Sequence, residues 1–457
     1  MLTLKFYANQ NLVDFPHTEF DNKNERGTKE SYHMAKLPYK TIDLFAGAGG
    51  LSEGLKHAGF ECVFANEISE AHSQTLKNNH PETHVETADI RTINPLNIRK
   101  ALGFNKGELD LLAGGPPCQG FSVNAPSRSL DDERNHLFQD FLKFVEVFDP
   151  KIVLIENVPG MVSFEEGQTV TAILKALQDL GYRVSLRILF APHYGVPQMR
   201  WRTVFLANRI GVDPTLMFPQ PSFFAKGRAN FTTKYLGKSL ILDHTTLDFL
   251  PSGSNIWDAI GDLPAIENGG GDEIMPYESQ AFSPYQKYLR YNSEEIYNHK
   301  SAGLGKANLE RLPHIPPGGS WRDIPFDLLP KGMKRARRTD HTKRYGRLDY
   351  QGLGSTILTK CDPHWGTYIH PEQNRIISVR EAARIQSFPD YFKFYGSLSD
   401  QYEQVGNAVP PLLAKSIGDS IAQWLEPKNN EIIKKSVWQE RQRAMHFEKK
   451  ALAEDAA

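Results

Sequence analysis

The apolar residues of this chain keep two rhythms as far as about residue 208 and then lose both. Short apolar runs, "YKTIDLFA", "CVFAN", "DLLAG" and "KIVLIEN", predict strands, and "KIVLIEN", with almost no alternation, one buried on both faces. Between them the spacing turns helical. A helix follows the glycine turn at residues 47–50 and runs through Leu55. Leu137, Phe141 and Val145, with Phe138 and Leu142 on the same side, predict a helix over Leu137–Phe148. Val170, Ile173, Leu174 and Leu177 predict another, and "RVSLRILFA" and "TVFLAN" close the region as strands. Strands and helices alternating in this way imply an α/β fold, a mostly parallel sheet with helices on both faces.

Residues 210–375 are rich in Pro, Gly, Tyr, Trp and basic residues and have no regular period. They are read as a smaller, irregular domain. Helical character returns in "SVREAARIQSF" and in "VPPLLAKSIGDSIAQWL", and the latter is expected to pack back onto the sheet. The organisation expected is a polar leader over 1–37, a first domain over 38–208, the irregular domain over 209–391, a return over 392–427 and a charged tail over 428–457.

Composition narrows the class. At 457 residues the chain has room for two or three cores, and its apolar and charged fractions, 40% and 23%, are those of a globular protein. No apolar run approaches the roughly 20 residues of a membrane span. The N-terminal stretch lacks a basic region followed by an apolar one, so no secretory signal is expected. Cys62, Cys118 and Cys361 are odd in number and far apart, which argues against a disulfide framework and against a zinc site. A net charge of −1 announces no partner, but residues 331–347, "KGMKRARRTDHTKRYGR", hold one acid among many bases. That run is either a solvated face or a phosphate-contacting patch.

Candidate chemistry gathers at strand ends. "LLAGGPPCQGFS" reads as a buried strand stopping at a stiff corner, with Cys118 just past the stop, where open α/β sheets keep their ligands. Read alone, such a cysteine is as readily a small buried hydrophobe. "DLFAGAGGLSEGL" is a strand, a glycine turn and a helix, the build of a nucleotide-binding corner. Glu67 follows Gly47 by 20 residues, where a carboxylate accepts both ribose hydroxyls of an adenosine. Ser52 occupies the place of the third glycine of the dinucleotide pattern, which counts against a pyrophosphate binder and hence a NAD-dependent dehydrogenase. Glu67 and Asp89 are otherwise helix caps or surface charges. Glu156 ends the apolar strand "KIVLI": either it reaches solvent, or its carboxyl holds a proton at a raised pKa. In "PQMRWRTVF" alternation places Arg200 and Arg202 on one face.

Taken in order, "DLFAGAGGLSEGL", "NEIS", "ADI", "GGPPCQGFS", "ERNHLF", "IENVPG", "PQMRWR", "REAARIQSFPD" and "GNAVPP" resemble the DNA (cytosine-5) methyltransferases, of the bacterial restriction–modification type. These segments span residues 41–411. The resemblance implies a Rossmann-like methyltransferase sheet with a target-recognition domain, S-adenosylmethionine as methyl donor, double-stranded DNA as substrate and no metal. It implies Cys118 as the nucleophile at C6 of a flipped-out cytosine, Glu156 as the proton-bearing carboxyl at N3, and Arg200 or Arg202 at O2 or behind Glu156. It places Phe45, Gly47, Gly49, Gly50 and Leu51 around the methionine end, Glu67 on the ribose, and Ile68 on adenine. Asp89 and Ile90 are implied at the adenine amino group, with Pro116, Leu137, Asn407 and Val409 completing the pocket. Residues 119–134 are expected to close over the base, and the basic run to lean toward phosphates. "GLGSTILTK" resembles a strand near the DNA backbone. Cys62 is read as core and Cys361 has no role. A bacterial cytoplasmic monomer, paired in function with a restriction endonuclease, is expected. The rival readings are a tRNA cytosine-5 methyltransferase with the same motifs, against which the long variable domain speaks, and a non-catalytic DNA-binding homologue, against which the intact Cys118, Glu156 and arginines speak.

Overall fold

The computed structural model describes residues 39–117, 137–229, 231–236, 240–241 and 247–426. Seven strands form one sheet: β1 (Tyr39–Leu44), β2 (Phe60–Glu67), β3 (His84–Thr87), β4 (Leu111–Gly114), β5 (Ile152–Asn157), β6 (Arg183–Phe190) and β7 (Trp201–Asn208). Their order is β3-β2-β1-β4-β5-β7-β6, and every neighbouring pair is parallel except the two that include β7. The chain builds outward from β1 to β3, then returns to lay β4 on the other side of β1. That reversal opens a crevice at the carboxyl ends of β1 and β4. Leu44 is in register with Gly114, and Gly114 with Ile155, so the loops after these strands leave at one level.

β7 runs against its neighbours, with Thr203 opposite Asn157 and Val204 opposite Glu156. Its first residues therefore lie at the edge where the parallel strands end. This reversal, which the apolar pattern does not reveal, brings Arg200 and Arg202 to the end of β5.

The expected burial of both sheet faces holds. Leu111, Ala113, Ile152, Leu154, Val204 and Leu206 face one core, and Leu112, Val153, Ile155, Phe205 and Ala207 face the other. Helices α1 (Gly50–His57), α2 (Glu70–Asn79), α3 (Pro95–Ala101), α4 (Leu137–Phe148) and α5 (Gln168–Asp179) follow in chain order. α4 and α5 cover the second face through Phe141, Phe144, Phe148, Ile173 and Leu177. α1 lies on the first face, against the last helix of the described chain. Full burial of one such side chain stabilises by roughly 1.5–3 kcal/mol.

The second half is sparser: α6 (Ile256–Ile260), β8 (Gly271–Met275), α7 (Pro284–Leu289), β9 (Ile296–Lys300), α8 (Lys306–Leu309), β10 (Gly346–Arg347), β11 (Thr367–Ile369), α9 (Val379–Ile385), α10 (Leu398–Asn407) and α11 (Pro411–Leu425). Leu312, Ile315, Trp321, Tyr345 and Ile369 make a small separate core. Ile256, Tyr285, Leu348, Tyr368, Ile385 and Phe392 instead share one core with Leu51, Leu55 and Ile417. The packing thus shows no break at residue 391. Arg384, fully buried, pairs with both Asp262 and Asp390, and Tyr391 donates to Glu53 of α1 at 2.5 Å. α11 packs against α1: a Cβ at Gly54 would collide with the Pro411 carbonyl, so only glycine allows this approach.

Candidate active site

The turn after β1 is set by its backbone. Phe45 and Gly47 take positive φ, 58° and 57°, and Gly49 follows at 96°. A Cβ at Gly47 would meet nothing within 4 Å, so the turn is open there; at Gly50 it would stand 2.5 Å from the Val409 carbonyl. The glycine turn and the "GNAVPP" segment are therefore in direct contact. Leu51 is buried, Asn407 is exposed at the end of α10, and Val409 is buried beneath it.

Glu67 ends β2 with both carboxylate oxygens held. Gly47 N–H donates to Oε2 at 2.9 Å and Ser69 N–H to Oε1 at 2.8 Å. The carboxylate is fixed across the crevice mouth while its outer lone pairs stay available. The next side chain, Ile68, is 68% exposed, although it follows a buried strand. An exposed isoleucine beside a locked carboxylate suits the two ends of an adenosine, a flat apolar base and a diol. Asp89 caps a short turn and accepts from the Arg91 guanidinium at 2.6 and 3.0 Å; those bonds hold its carboxyl below the usual range. The Ile90 side chain is buried in the core. Leu137, at the start of α4, is half-buried.

The other side of the crevice holds Glu156. It is half-buried, with Oε1 enclosed, and a Cβ on Gly115 would stand 3.3 Å from Oε2, so glycine lets the corner pass close over the carboxyl. Arg202 Nε approaches Oε1 to 2.5 Å, yet neither atom has an aligned hydrogen-bond partner among the described residues. Burial raises the Glu156 carboxyl's pKa, opposed by Arg202 first and then Arg200. A raised carboxyl pKa is the property a group needs in order to hold a proton for a polar ring edge. Arg200 has a different task. Its Nη1 donates to the Ile357 carbonyl at 3.0 Å, and Nη2 to the Gly406 and Ala408 carbonyls at 2.7 and 3.0 Å. The "GLGSTILTK" segment is not a strand; it lies along residues 197–200, with Met199 N–H donating to the Gly354 carbonyl at 2.8 Å.

Two contributors escaped the sequence reading. Asn157 donates from Nδ2 to the Pro116 carbonyl at 2.9 Å and fixes the Pro-Pro corner to the end of β5. Its place next to Glu156 was the available signal. Asp43, in β1, accepts from Ser52 Oγ at 2.6 Å, while its Oδ1 is buried without a partner. Cys118 and residues 119–136 lie outside the described residues. The other two thiols are buried, Cys62 in β2 and Cys361 in the main core. Burial pushes the Cys62 thiol up to about 12 and raises Cys361 as well, which makes both poor nucleophiles.

Residues 39–423 match the family of C-5 cytosine-specific DNA methylases. The chain belongs to that family. It is 33% identical over 432 residues to the Type II methyltransferase M.AgeI of Thalassovita gelatinovora, covering 84% of this chain and 99% of that protein. It is 36% identical over 435 residues to DNA (cytosine-5)-methyltransferase 1A of Oryza sativa subsp. japonica, of which the chain spans only 28%. An E. coli prophage-encoded protein described as a DNA modification methyltransferase has the same fold, with a TM-score of 0.61 at 24% identity over 85% of this chain and 99% of that one. The sequence resemblance and the methyltransferase sheet it implied are both borne out, and this is an enzyme of cytosine C5 methylation. Among the described residues no helix is long and apolar enough to cross a membrane.

The site has a pH signature. Burial pushes the Asp43 carboxyl up to about 7, against the Ser52 bond and with the charges of Glu67 and Glu156 adding to the rise. Its folded pKa lies above the ordinary 3.8, so its contribution to stability is whole below that value and is lost as pH climbs to about 7. A shift of this size corresponds to roughly 4 kcal/mol. Asp43→Asn keeps the shape and cannot ionise. Urea unfolding should show the parent losing stability relative to Asp43→Asn between about pH 4 and pH 7 and no further above it; an unchanging difference across that range would contradict the assignment.

Proposed function

We propose that this chain transfers a methyl group from S-adenosylmethionine to C5 of a cytosine turned out of double-stranded DNA, as the modification enzyme of a restriction–modification system in a bacterial cytoplasm. The observation that carries the reading is the Glu156–Arg202 pair, placed beside the Pro-Pro corner that leads into Cys118. C5 of cytosine is a poor nucleophile until a thiolate adds at C6. Cys118, next after the corner, is the thiol assigned to that addition. Addition drives negative charge toward N3 and O2. Glu156, its pKa raised by burial, donates to N3, and Arg202 stands behind it to hold the carboxyl and meet O2. C5, made nucleophilic, takes the methyl group; loss of the C5 proton to water then expels the Cys118 thiolate from C6, and the N3 proton returns to Glu156. A base inside a duplex cannot reach this carboxyl, so the target must leave the stack.

Glu67, Ile68 and the open face of Gly47 fit the cofactor. S-adenosylmethionine supplies the electrophilic methyl group; the chain supplies the diol acceptor at Glu67 and the apolar rest for adenine at Ile68. Sequence reading is assigned to residues 209–391. The restriction–modification setting is supported by similarity to a Type II methyltransferase across nearly all of that protein's length.

Base-resolution methylation mapping of plasmid DNA from cells expressing the chain should show 5-methylcytosine at one position of one short sequence. Unmarked plasmid, with methylated tRNA instead, would overturn the reading. Glu67→Ala removes charge-assisted hydrogen bonds worth roughly 1.5–3 kcal/mol each. Calorimetry on that variant should show S-adenosylmethionine binding weakened at least tenfold, and unchanged affinity would displace the ribose site from Glu67.

A further inference from the structure

The basic run is largely an exposed surface; Arg344 is half-buried and Arg347 is buried. Lys331, Lys334, Arg335, Arg337, Arg338 and Lys343 are exposed, and none forms an ion pair with a described carboxylate. Arg347, at the end of the run, is buried and spent on the carbonyls of Leu312, Ile315, His370 and Gln373. The pairing of β10 with β11 fastens this surface to the turn at 362–366. That turn is firmly built. Asp362 Oδ1 accepts from the His364 backbone N–H at 2.8 Å and is bonded to its Nδ1 at 2.7 Å. His364 Nε2 is hydrogen-bonded to Tyr345 Oη at 2.7 Å, and Trp365 N–H donates to the Asp362 carbonyl at 3.0 Å.

On this fixed turn Trp365 is 63% exposed, whereas Trp201 and Trp321 are buried. The Arg344 guanidinium lies 5.3 Å from its ring centre. A large apolar ring held out to water on a fixed turn, with the Arg344 guanidinium beside it and the exposed basic run joined to it through β10 and β11, suits a partner that offers phosphates and flat apolar faces together. The turn is also close to the reacting edge. Tyr368, three residues on, donates to the Thr356 carbonyl at 2.9 Å, and Thr356 donates to the carbonyl of Met199, beside Arg200, at 2.7 Å.

We propose that Trp365 is an aromatic probe that enters a groove of the bound duplex and packs on a base pair of the recognition site, while the exposed lysines and arginines of 331–343 hold the flanking phosphates. This rests on the reading that the chain methylates duplex DNA. The test compares the parent, Trp365→Ala and a Lys334→Ala/Arg337→Ala pair on oligonucleotide duplexes carrying the mapped site or single-pair variants of it. Trp365→Ala should raise KM for the site and lower discrimination against at least one variant, each roughly tenfold, with S-adenosylmethionine affinity unchanged. Indole fluorescence quenching on duplex binding, present in the parent, should largely vanish in Trp365→Phe. The paired basic substitution should weaken binding to all duplexes alike. It should also flatten the slope of log affinity against log salt by about 0.9 for each phosphate no longer neutralised. Parental KM and discrimination in Trp365→Ala would overturn the probe while leaving the function standing. A parent that methylates RNA and no duplex overturns both.

Discussion

A single buried guanidinium holds the reacting edge together. Arg200 is 1% exposed and has no carboxylate hydrogen-bonded to it among the described residues; its charge is answered by the carbonyls of Ile357, Gly406 and Ala408 and by Gln198. Burial, with Arg202 close by, lowers its pKa well below the ordinary value, the mark of a cation that is expensive to enclose. Hydrogen bonds to a charged group contribute roughly 1.5–3 kcal/mol each, and here they join segments more than 150 residues apart in sequence. Because β7 starts at the next residue, fixing Arg200 also fixes Arg202, two places on, against Glu156. A lysine could not replace this geometry, since the contacts lie in the plane of a fork.

The same edge concentrates acid. Asp43, Glu67 and Glu156 end or nearly end their strands, and the two glutamates raise the cost of ionising Asp43. Glu67 is relieved by backbone N–H groups and Glu156 by Arg202. Asp43 has only Ser52. Burial raises the pKa of Asp43 and of Glu156, the property that lets a carboxyl hold a proton, while the Glu67 carboxylate is anchored by backbone N–H groups.

Much of this was legible because the sheet writes itself into the chain twice, once as apolar runs and once as residues punctuating their ends. "KIVLIEN" announced both a buried strand and Glu156; "NEIS" announced Glu67 with Ile68 beside it. What stayed hidden depends on pairing across distance. The antiparallel placement of β7 leaves no trace in its own alternation, since both its faces are buried. Arg200 and Arg202 look equivalent in "PQMRWR", yet one clamps backbone and the other faces Glu156. Arg347 looks like part of the basic run but lies inside. α10 was missed because its buried positions are Gln401, Tyr402, Gln404 and Val405, a face too polar to register as periodic.

The account turns on a thiol that adds to C6 while Glu156 protonates the ring, and fluorine at C5 reports that step. Fluorine cannot leave as a cation, so a duplex with 5-fluorocytosine at the target position should halt after methyl transfer with the protein bonded to the base. The complex should survive boiling in detergent, require S-adenosylmethionine, map to Cys118 by peptide sequencing and form more slowly with Glu156→Gln. A complex that forms at parental rate in Cys118→Ala, or that maps to Cys62 or Cys361, would contradict the mechanism.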